Sequence, residues 1–161
     1  MTQDRPKKQY WLFKSEPGAF SWDDLVNSPD STTMWDGIRN YQARNLMRDS
    51  MNPGDTVLFY HSQTGAPAVV GIAEVVSSSY PDPTQFDPDS RYFDPKASVA
   101  APRWFLVDIR AVQPLERAVT LAELRQLPEL EDMSLLQRGN RLSIQPVREA
   151  EFVRIVQLAA G

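Results

Sequence analysis

No cysteine occurs in the chain, and histidine occurs once, at His61. The first absence excludes disulfides, thiolate nucleophiles and every cysteine-held zinc or iron–sulfur centre. The second excludes histidine-rich metal sites, and no acidic loop has the spacing of an EF-hand. Glycine is scarce, at 7 residues. No Walker A loop is present and no G-x-G-x-x-G turn follows a strand, so chemistry that depends on ATP or NAD is not expected. Neither a cofactor nor a metal is called for. No run approaches the roughly 18 apolar residues of a membrane span, and the polar stretch Met1–Gln9 lacks the apolar centre of a signal peptide. The expected compartment is cytoplasmic, or nuclear if the source is eukaryotic, with no membrane partner.

Lysine is also rare, with 4 residues against 13 arginines on a chain of net charge −4. Bulk positive charge therefore cannot be the way this protein meets a polyanion. Arginine presents a planar fork suited to bases, phosphates and stacking, where lysine is a point charge. Between Ser134 and Arg148 the only charged residues are Arg138, Arg141 and Arg148. They form either a local basic face or ordinary solvated positions.

What is present fits one domain. The 161 residues are 42% apolar and 24% charged, with 13 prolines, enough for a single core with many turns. Met1–Gln9 is expected to be a flexible tail, and residues 10–161 a single domain. Tyr10–Lys14 reads as a strand that stops at Ser15-Glu16-Pro17-Gly18. Ser21 with Asp24 forms a capping-box pattern that opens a short helix to about Asn27, followed by a loop at Ser28–Thr33. Arg39–Arg48 has helix formers, and Asn52-Pro53-Gly54-Asp55 is a turn into the strand Thr56–His61. Ala68–Val76 is a further strand, where Gly71 suggests a bulge or a close backbone approach. Ser77–Pro102 is proline-rich and aperiodic, and a loop of that length inside a small domain is usually functional or mobile. Arg103–Val112 returns as a strand, Thr120–Leu127 as a helix capped by Thr120 and Glu123, and Pro146–Leu158 as a terminal helix with an apolar side. Strands interrupted by short helices, without regular βαβ alternation, imply an α+β domain with a bent or barrel-like sheet.

Hydrolytic triads find little support. His61 is flanked by Ser62, but neighbours on a strand point to opposite faces, and no G-x-S-x-G elbow exists. A structural or ligand-bonding role for His61 is expected instead. The feature that stands out is a set of aromatic residues at segment ends, Trp11, Trp22, Trp35, Tyr41, Tyr60, Tyr80 and Trp104, near amide, hydroxyl and guanidinium groups. Aromatic faces for stacking and fixed donors and acceptors for an edge suit a small planar ligand. Each ring has core packing as its alternative.

Several strings then become recognisable. Trp11-Leu12-Phe13-Lys14-Ser15-Glu16-Pro17 resembles the W-L-x-K-S-E-P opening of the EVE domain family. Trp35-Asp36-Gly37-Ile38-Arg39-Asn40-Tyr41-Gln42-Ala43-Arg44-Asn45 resembles its W-x-G-V-R-N-Y-x-A-R-N segment. Gly54-Asp55, Phe59-Tyr60-His61-Ser62, Val70-Gly71-Ile72-Ala73, Pro102-Arg103-Trp104 and Arg141-Leu142-Ser143-Ile144-Gln145-Pro146-Val147 follow in family order. Two departures, Ile38 for the commoner Val and Arg148 for a common Thr, leave the resemblance intact. The second weakens a helix cap and is expected to add a basic group near the site.

The resemblance implies a PUA-like fold, related to YTH and ASCH domains, with a strongly bent β-barrel core and peripheral short helices. It implies a non-enzymatic reader that binds a modified nucleobase, modified cytosine first and modified adenine second, in DNA or RNA by base flipping. On this reading Trp22 or Trp35 and Tyr60 wall an aromatic pocket beside Lys14, Ser15, Glu16 and Pro17. Ser15, Asn40 and Ser62 meet the base edge. Arg39, Arg44 and Arg141 stand at the mouth, although Arg39 and Arg44 have a second reading as bridges to Asp36 or Glu16. Asn45, His61, Tyr80, Trp104, Ser143 and Gln145 complete the candidate ligand-binding set. The alternative is an enzyme acting on a modified base or nucleoside, since relatives of the ASCH type hydrolyse acylated cytidine. Lys14 and Glu16 would then form its acid–base pair. A third reading is a protein-interaction module built on Ser77–Pro102.

Overall fold

The computed structural model describes residues 8–161, and residues 1–7 of the expected tail lie outside the described residues. Gln9 is already tied down. Its main-chain N–H donates to Asp55 Oδ1 at 3.2 Å and its side chain to the Ser50 carbonyl.

Eight strands and four short α-helices follow: β1 (Tyr10–Ser15), α1 (Trp22–Val26), β2 (Thr32–Met34), α2 (Tyr41–Asn45), β3 (Thr56–His61), β4 (Ala68–Val75), β5 (Tyr80–Pro81), β6 (Phe105–Leu106), β7 (Asp108–Thr120), α3 (Leu121–Arg125), β8 (Ile144–Val147) and α4 (Glu149–Ala160). Six strands form one sheet in the order β2-β7-β4-β3-β1-β8, and β5 pairs with β6 apart from it. Only β1 and β3 run parallel within the large sheet. Register shifts between Phe59 and Tyr60, between Val69 and Gly71, and between Ile72 and Ala73 break the ladder in the middle strands. Bulges bend a strand and increase its twist, and this sheet curls into a half-barrel.

Both faces of the curl are buried, which explains why β1 and β3 read as continuous apolar runs. Alternate residues serve different cores. Trp11, Phe13, Val57 and Phe59 face a cluster with Trp22, Leu25, Trp35 and Met47. Leu12, Leu58, Tyr60 and Val69 face the other, with Leu124, Leu130, Met133 and Ile155. Gly71 is buried where the chain can carry no side chain. A Cβ there would stand 2.6 Å from the Trp22 ring, and this close approach accounts for the glycine expected to be special.

Four segments differ from expectation. Thr32 and Thr33, read as the end of a loop, form with Met34 an edge strand that pairs with Arg110, Ile109 and Asp108 of β7. The second helix begins at Tyr41, because Asn40 caps it by accepting the Ala43 N–H at 3.0 Å, and it continues as a π-helical turn over Leu46–Ser50. Pro146 and Val147 belong to β8, not to the last helix, which starts at Glu149. β8 lies at the sheet edge, where a proline's missing N–H costs no ladder bond. The strand expected at Arg103–Val112 is interrupted at Val107 and then runs on to Thr120.

Ser77–Pro102 has little regular structure but is anchored from within. Asp82, 1% exposed, accepts from Gly37 N, Arg39 Nη1, Thr84 N and Thr84 Oγ1. Gln85, fully buried, donates to the Asp82 and Trp104 carbonyls and accepts from the main-chain N–H groups of Arg103 and Trp104.

Asp55 plays a similar part at the other end of the domain. Its buried carboxylate accepts from Gln9, from Trp11 Nε1 at 3.0 Å and from Asn52 N. Removing it strands a buried indole N–H and frees the Asn52–Asp55 turn. Asp55→Ala is therefore expected to lose roughly 2–4 kcal/mol of stability, more than one neutral hydrogen bond carries, in a denaturant titration.

Candidate functional site

A cavity of about 640 Å³ opens between the end of β1, the segment after it, and the chain leaving β2. That volume is in the range of small-molecule sites. Its lining falls into three arcs: Lys14, Ser15, Glu16, Ala19 and Phe20 from β1 and its turn; Thr33, Met34, Trp35, Asp36, Gly37 and Ile38 from the end of β2 and the segment after it; and Arg91, Tyr92 and Ser143.

Trp35 is the fixed wall. Its ring lies 5.3 Å from Phe13, 6.0 Å from Phe20 and 5.7 Å from Phe59, the last two edge-on. Its main-chain N–H donates to the Val107 carbonyl at 3.0 Å. A ring packed on three others by edge and tilt keeps one orientation. Phe20 is held in turn by the Ser15 hydroxyl, which donates to its carbonyl.

Tyr92 is the wall across Gly37. Gly37 has φ +83°, and a Cβ on it would meet the Tyr92 ring at 2.5 Å, so glycine is required both by the backbone and by the contact. The loop that carries Tyr92 is held by Arg39, whose Nε and Nη2 donate to the Tyr92 carbonyl at 3.1 and 2.6 Å and whose Nη1 pairs with Asp82 at 3.2 Å. Arg91, which also lines the cavity, holds its guanidinium 4.7 Å from the Tyr92 ring.

Charge inside the cavity is poised. Burial, then the neighbouring Asp82 charge, hold the Asp36 carboxyl above the ordinary carboxylate value, opposed by a hydrogen bond to its own main chain and by Arg39 and Arg91. Burial also lowers the Lys14 ammonium below its usual value. Shifted groups gathered in a cleft make it a candidate functional site.

The structure distributes the sequence candidates widely. Lys14, Ser15, Glu16, Trp35 and Ser143 line the cavity. Tyr60 does not: it stands on the opposite face of the sheet, 3% exposed among Leu12, Val69 and Leu124. Trp22 packs on Phe59 and Gly71, and its main-chain N–H donates to His61 Nε2 at 3.0 Å, so both residues hold α1 against the sheet. Asn40 is a helix cap and Asn45 accepts from Arg44. Ser62 N–H donates to the Ser15 carbonyl at 2.9 Å, close to the expected pocket but not lining it. Pro17 lies in the turn, outside the lining. Tyr80 donates to Asp108, and burial raises its phenol pKa, with Asp108 adding to the shift.

Gln145, 1% exposed, donates to the Leu142 carbonyl, and its Oε1 has no hydrogen-bond partner among the described residues. Arg141 is exposed away from the lining. Arg39 bridges to Asp82 and not to Asp36 or Glu16, and Arg44 donates to the Arg103 carbonyl. Trp104 is buried and donates to Asp94. Arg148 pairs with Glu151 at the start of α4, apart from the cavity, because the helix begins three residues beyond Pro146.

Phe20, Met34, Asp36, Gly37, Ile38, Arg91 and Tyr92 were not singled out beforehand. Asp36, Gly37 and Ile38 stand inside the quoted Trp35–Asn45 string, and the length of Ser77–Pro102 was a signal for Arg91 and Tyr92.

The model of the EVE domain family matches residues 9–158. Thymocyte nuclear protein 1 of Homo sapiens is 39% identical over 166 residues, covering 92% of this chain and 73% of that protein. The crystal structure of human THYN1 protein in complex with 5-methylcytosine-containing DNA has a TM-score of 0.88 and 37% identity, covering 96% of this chain and 99% of the other. A more distant fold likeness, with TM-score 0.54 and 17% identity over 99% and 91% of the two chains, is to the YTH domain of Zygosaccharomyces rouxii MRB1 in complex with N6-methyladenosine RNA. The half-barrel is thus of the PUA-like, YTH-related type.

His61 supplies a pH test of the frame around the cavity. Burial lowers its pKa, with Asp23 opposing. The unfolded chain therefore takes up a proton at a pH where the folded chain does not. The stability this neutral imidazole contributes is present above the ordinary value of about 6.5 and is lost as pH falls below it. Thermal melts between about pH 7.5 and 5.5 should decline on the acid side, and His61→Gln should flatten that decline.

Proposed function

The chain belongs to the EVE domain family, and from this premise we propose that it is a non-enzymatic reader that binds a modified nucleobase of DNA or RNA in the Trp35 cavity. The observation that carries the reading is the juxtaposition of Trp35 and Tyr92 around a space lined by Asp36, Lys14 and Ser143. A base turned out of its strand stacks against aromatic walls and offers its edge to the polar groups. Modified cytosine is the leading ligand, in keeping with the DNA bound by the human relative. Asp36 then accepts from the exocyclic amino group, a pairing in which a carboxylate meets cytosine N4. Among the described residues no helix is long and apolar enough to cross a membrane, and the proposed compartment is cytoplasmic, or nuclear in a eukaryote.

A second reading has one observation in its favour. Lys14, its pKa lowered by burial, shares the cavity lining with Glu16, an arrangement that suits proton transfer to a nucleoside. Incubation with a panel of modified nucleosides, followed by chromatography, separates the readings. Unchanged nucleosides are expected, and turnover abolished by Glu16→Gln would establish the enzyme.

The reader is tested with matched oligonucleotides that differ in one base, across salt concentrations. Tyr92→Ala removes a wall but leaves the loop in place, because Arg39 grips the Tyr92 carbonyl and not its ring. It should weaken the modified strand by about 1–3 kcal/mol, one stacking partner's share, with an unchanged melting temperature. Few arginines lie near the cavity, so two or three phosphate contacts should give a salt slope of about 1.5–3. Preference for the modified base should persist at high salt. A steep slope with equal affinity for both strands would make the protein a general nucleic-acid binder.

A further inference from the structure

Beyond the cavity the molecule carries one exposed aromatic ring that is built like a contact. Tyr41, at the first position of α2, is 51% exposed. Its ring stacks on Trp104 at 4.7 Å with 21° between planes. Trp104 is itself buried and locked by its Nε1 donating to Asp94 at 2.7 Å. Arg44 stands 4.7 Å from the Tyr41 centroid and 6.0 Å from Trp104. A group seated squarely on the outer face of Tyr41 could not come that close to Trp104, so the guanidinium flanks the stack and the outer face stays open. Among the described residues no carboxylate lies within ion-pair distance of Arg44. Its orientation is fixed by the Arg103 carbonyl and Asn45. A rigid, half-exposed aromatic face beside an unpaired arginine suits a base and its phosphate.

The same stack continues to the cavity. Arg39 lies 5.3 Å from the Trp104 ring and 5.5 Å from the ring of Tyr92, which is a cavity wall. Tyr92, Arg39, Trp104 and Tyr41 thus form consecutive contacts of 5.5, 5.3 and 4.7 Å, one continuous run of aromatic and guanidinium groups from the cavity to the surface.

We infer that the outer face of Tyr41, backed by Trp104 and flanked by Arg44, is a stacking platform for a base that neighbours the one held in the cavity. The ligand class is a single-stranded or locally opened nucleic acid, with Arg44 meeting the phosphate between the two bases. This rests on the reading of the cavity as a nucleobase site. The platform tolerates any base, because every base has a face to stack, and it makes an oligonucleotide a better ligand than the isolated modified nucleotide.

The test uses four probes: 5-methyl-2′-deoxycytidine monophosphate, a pentamer of DNA with one central 5-methylcytosine and purine neighbours, the same pentamer with abasic neighbours, and the purine-flanked pentamer with an unmethylated central cytosine. For the full chain, removing the neighbouring bases should weaken binding roughly 5- to 100-fold, the range for loss of one stacked base. Tyr41→Ala should reproduce that loss on the purine-flanked pentamer, leave the mononucleotide and the abasic pentamer unaffected, and be rescued by Tyr41→Phe. The probe comparison on the unaltered protein carries the test even if the alanine variant melts early. Equal affinity of the purine-flanked and abasic pentamers would overturn the platform while a preference for 5-methylcytosine upheld the cavity. A Tyr41-dependent affinity without preference for the methylated base would do the reverse. An equal loss on the mononucleotide would place Tyr41 in the service of the cavity and also overturn the platform. No binding of any probe would overturn both.

Discussion

The contact on which the site depends is the buried pairing of Asp82 with Arg39. Asp82 is 1% exposed and Arg39 is partly covered, so neither charge is tolerated without the other or without further hydrogen bonds. Those bonds are what shape the molecule. Asp82 reaches Gly37 and Thr84, and Arg39 reaches the Tyr92 carbonyl. One ion pair thereby joins the segment after β2 to the segment after β5 and brings Trp35 and Tyr92 to opposite sides of one space. A long proline-rich connection becomes a wall because its carboxylate and amide groups have nowhere else to be satisfied.

Aromatic packing supplies the rigidity that the ion pair orients. Trp35 belongs to the core by three of its contacts, Phe13, Phe20 and Phe59, and to the cavity by its remaining surface. The distinction between core ring and ligand ring, treated as exclusive in reading a sequence, does not hold for this residue. A stacking wall must keep its orientation when empty, and packing is how it does so. Tyr60 shows the opposite case, a ring near the expected pocket in sequence but carried to the other core by strand alternation.

The acidic net charge and the arginine-rich basic set are compatible because several arginines are held by π faces and carbonyls. Arg39, Arg44 and Arg91 each lie against an aromatic ring, and Arg44 keeps its charge unpaired among the described residues. Three guanidinium groups thus gather around Tyr41, Tyr92 and Trp104 on a chain of acidic net charge. Such an arrangement favours selective contacts over long-range attraction. The half-buried Asp36 near Asp82 lines the cavity with a carboxylate despite the electrostatic cost.

Local signals in the chain determined most of the elements. The Ser21–Asp24 and Thr120–Glu123 boxes started helices where expected, since a cap involves residues three apart and needs no tertiary partner. The runs at Tyr10–Ser15 and Thr56–His61 were strands, and the collinear strings from Trp11 to Val147 were enough to name the family. What the chain could not show locally was which segments meet. Thr32–Met34 is a strand only because β7 lies beside it, and Pro146 sits in β8 only because that strand is at the edge. The second half of the cavity comes from Arg91 and Tyr92, more than fifty residues from Trp35. Contacts at that separation leave no periodicity in the sequence. They arise when a buried carboxylate finds its arginine, and only the folded chain decides which one.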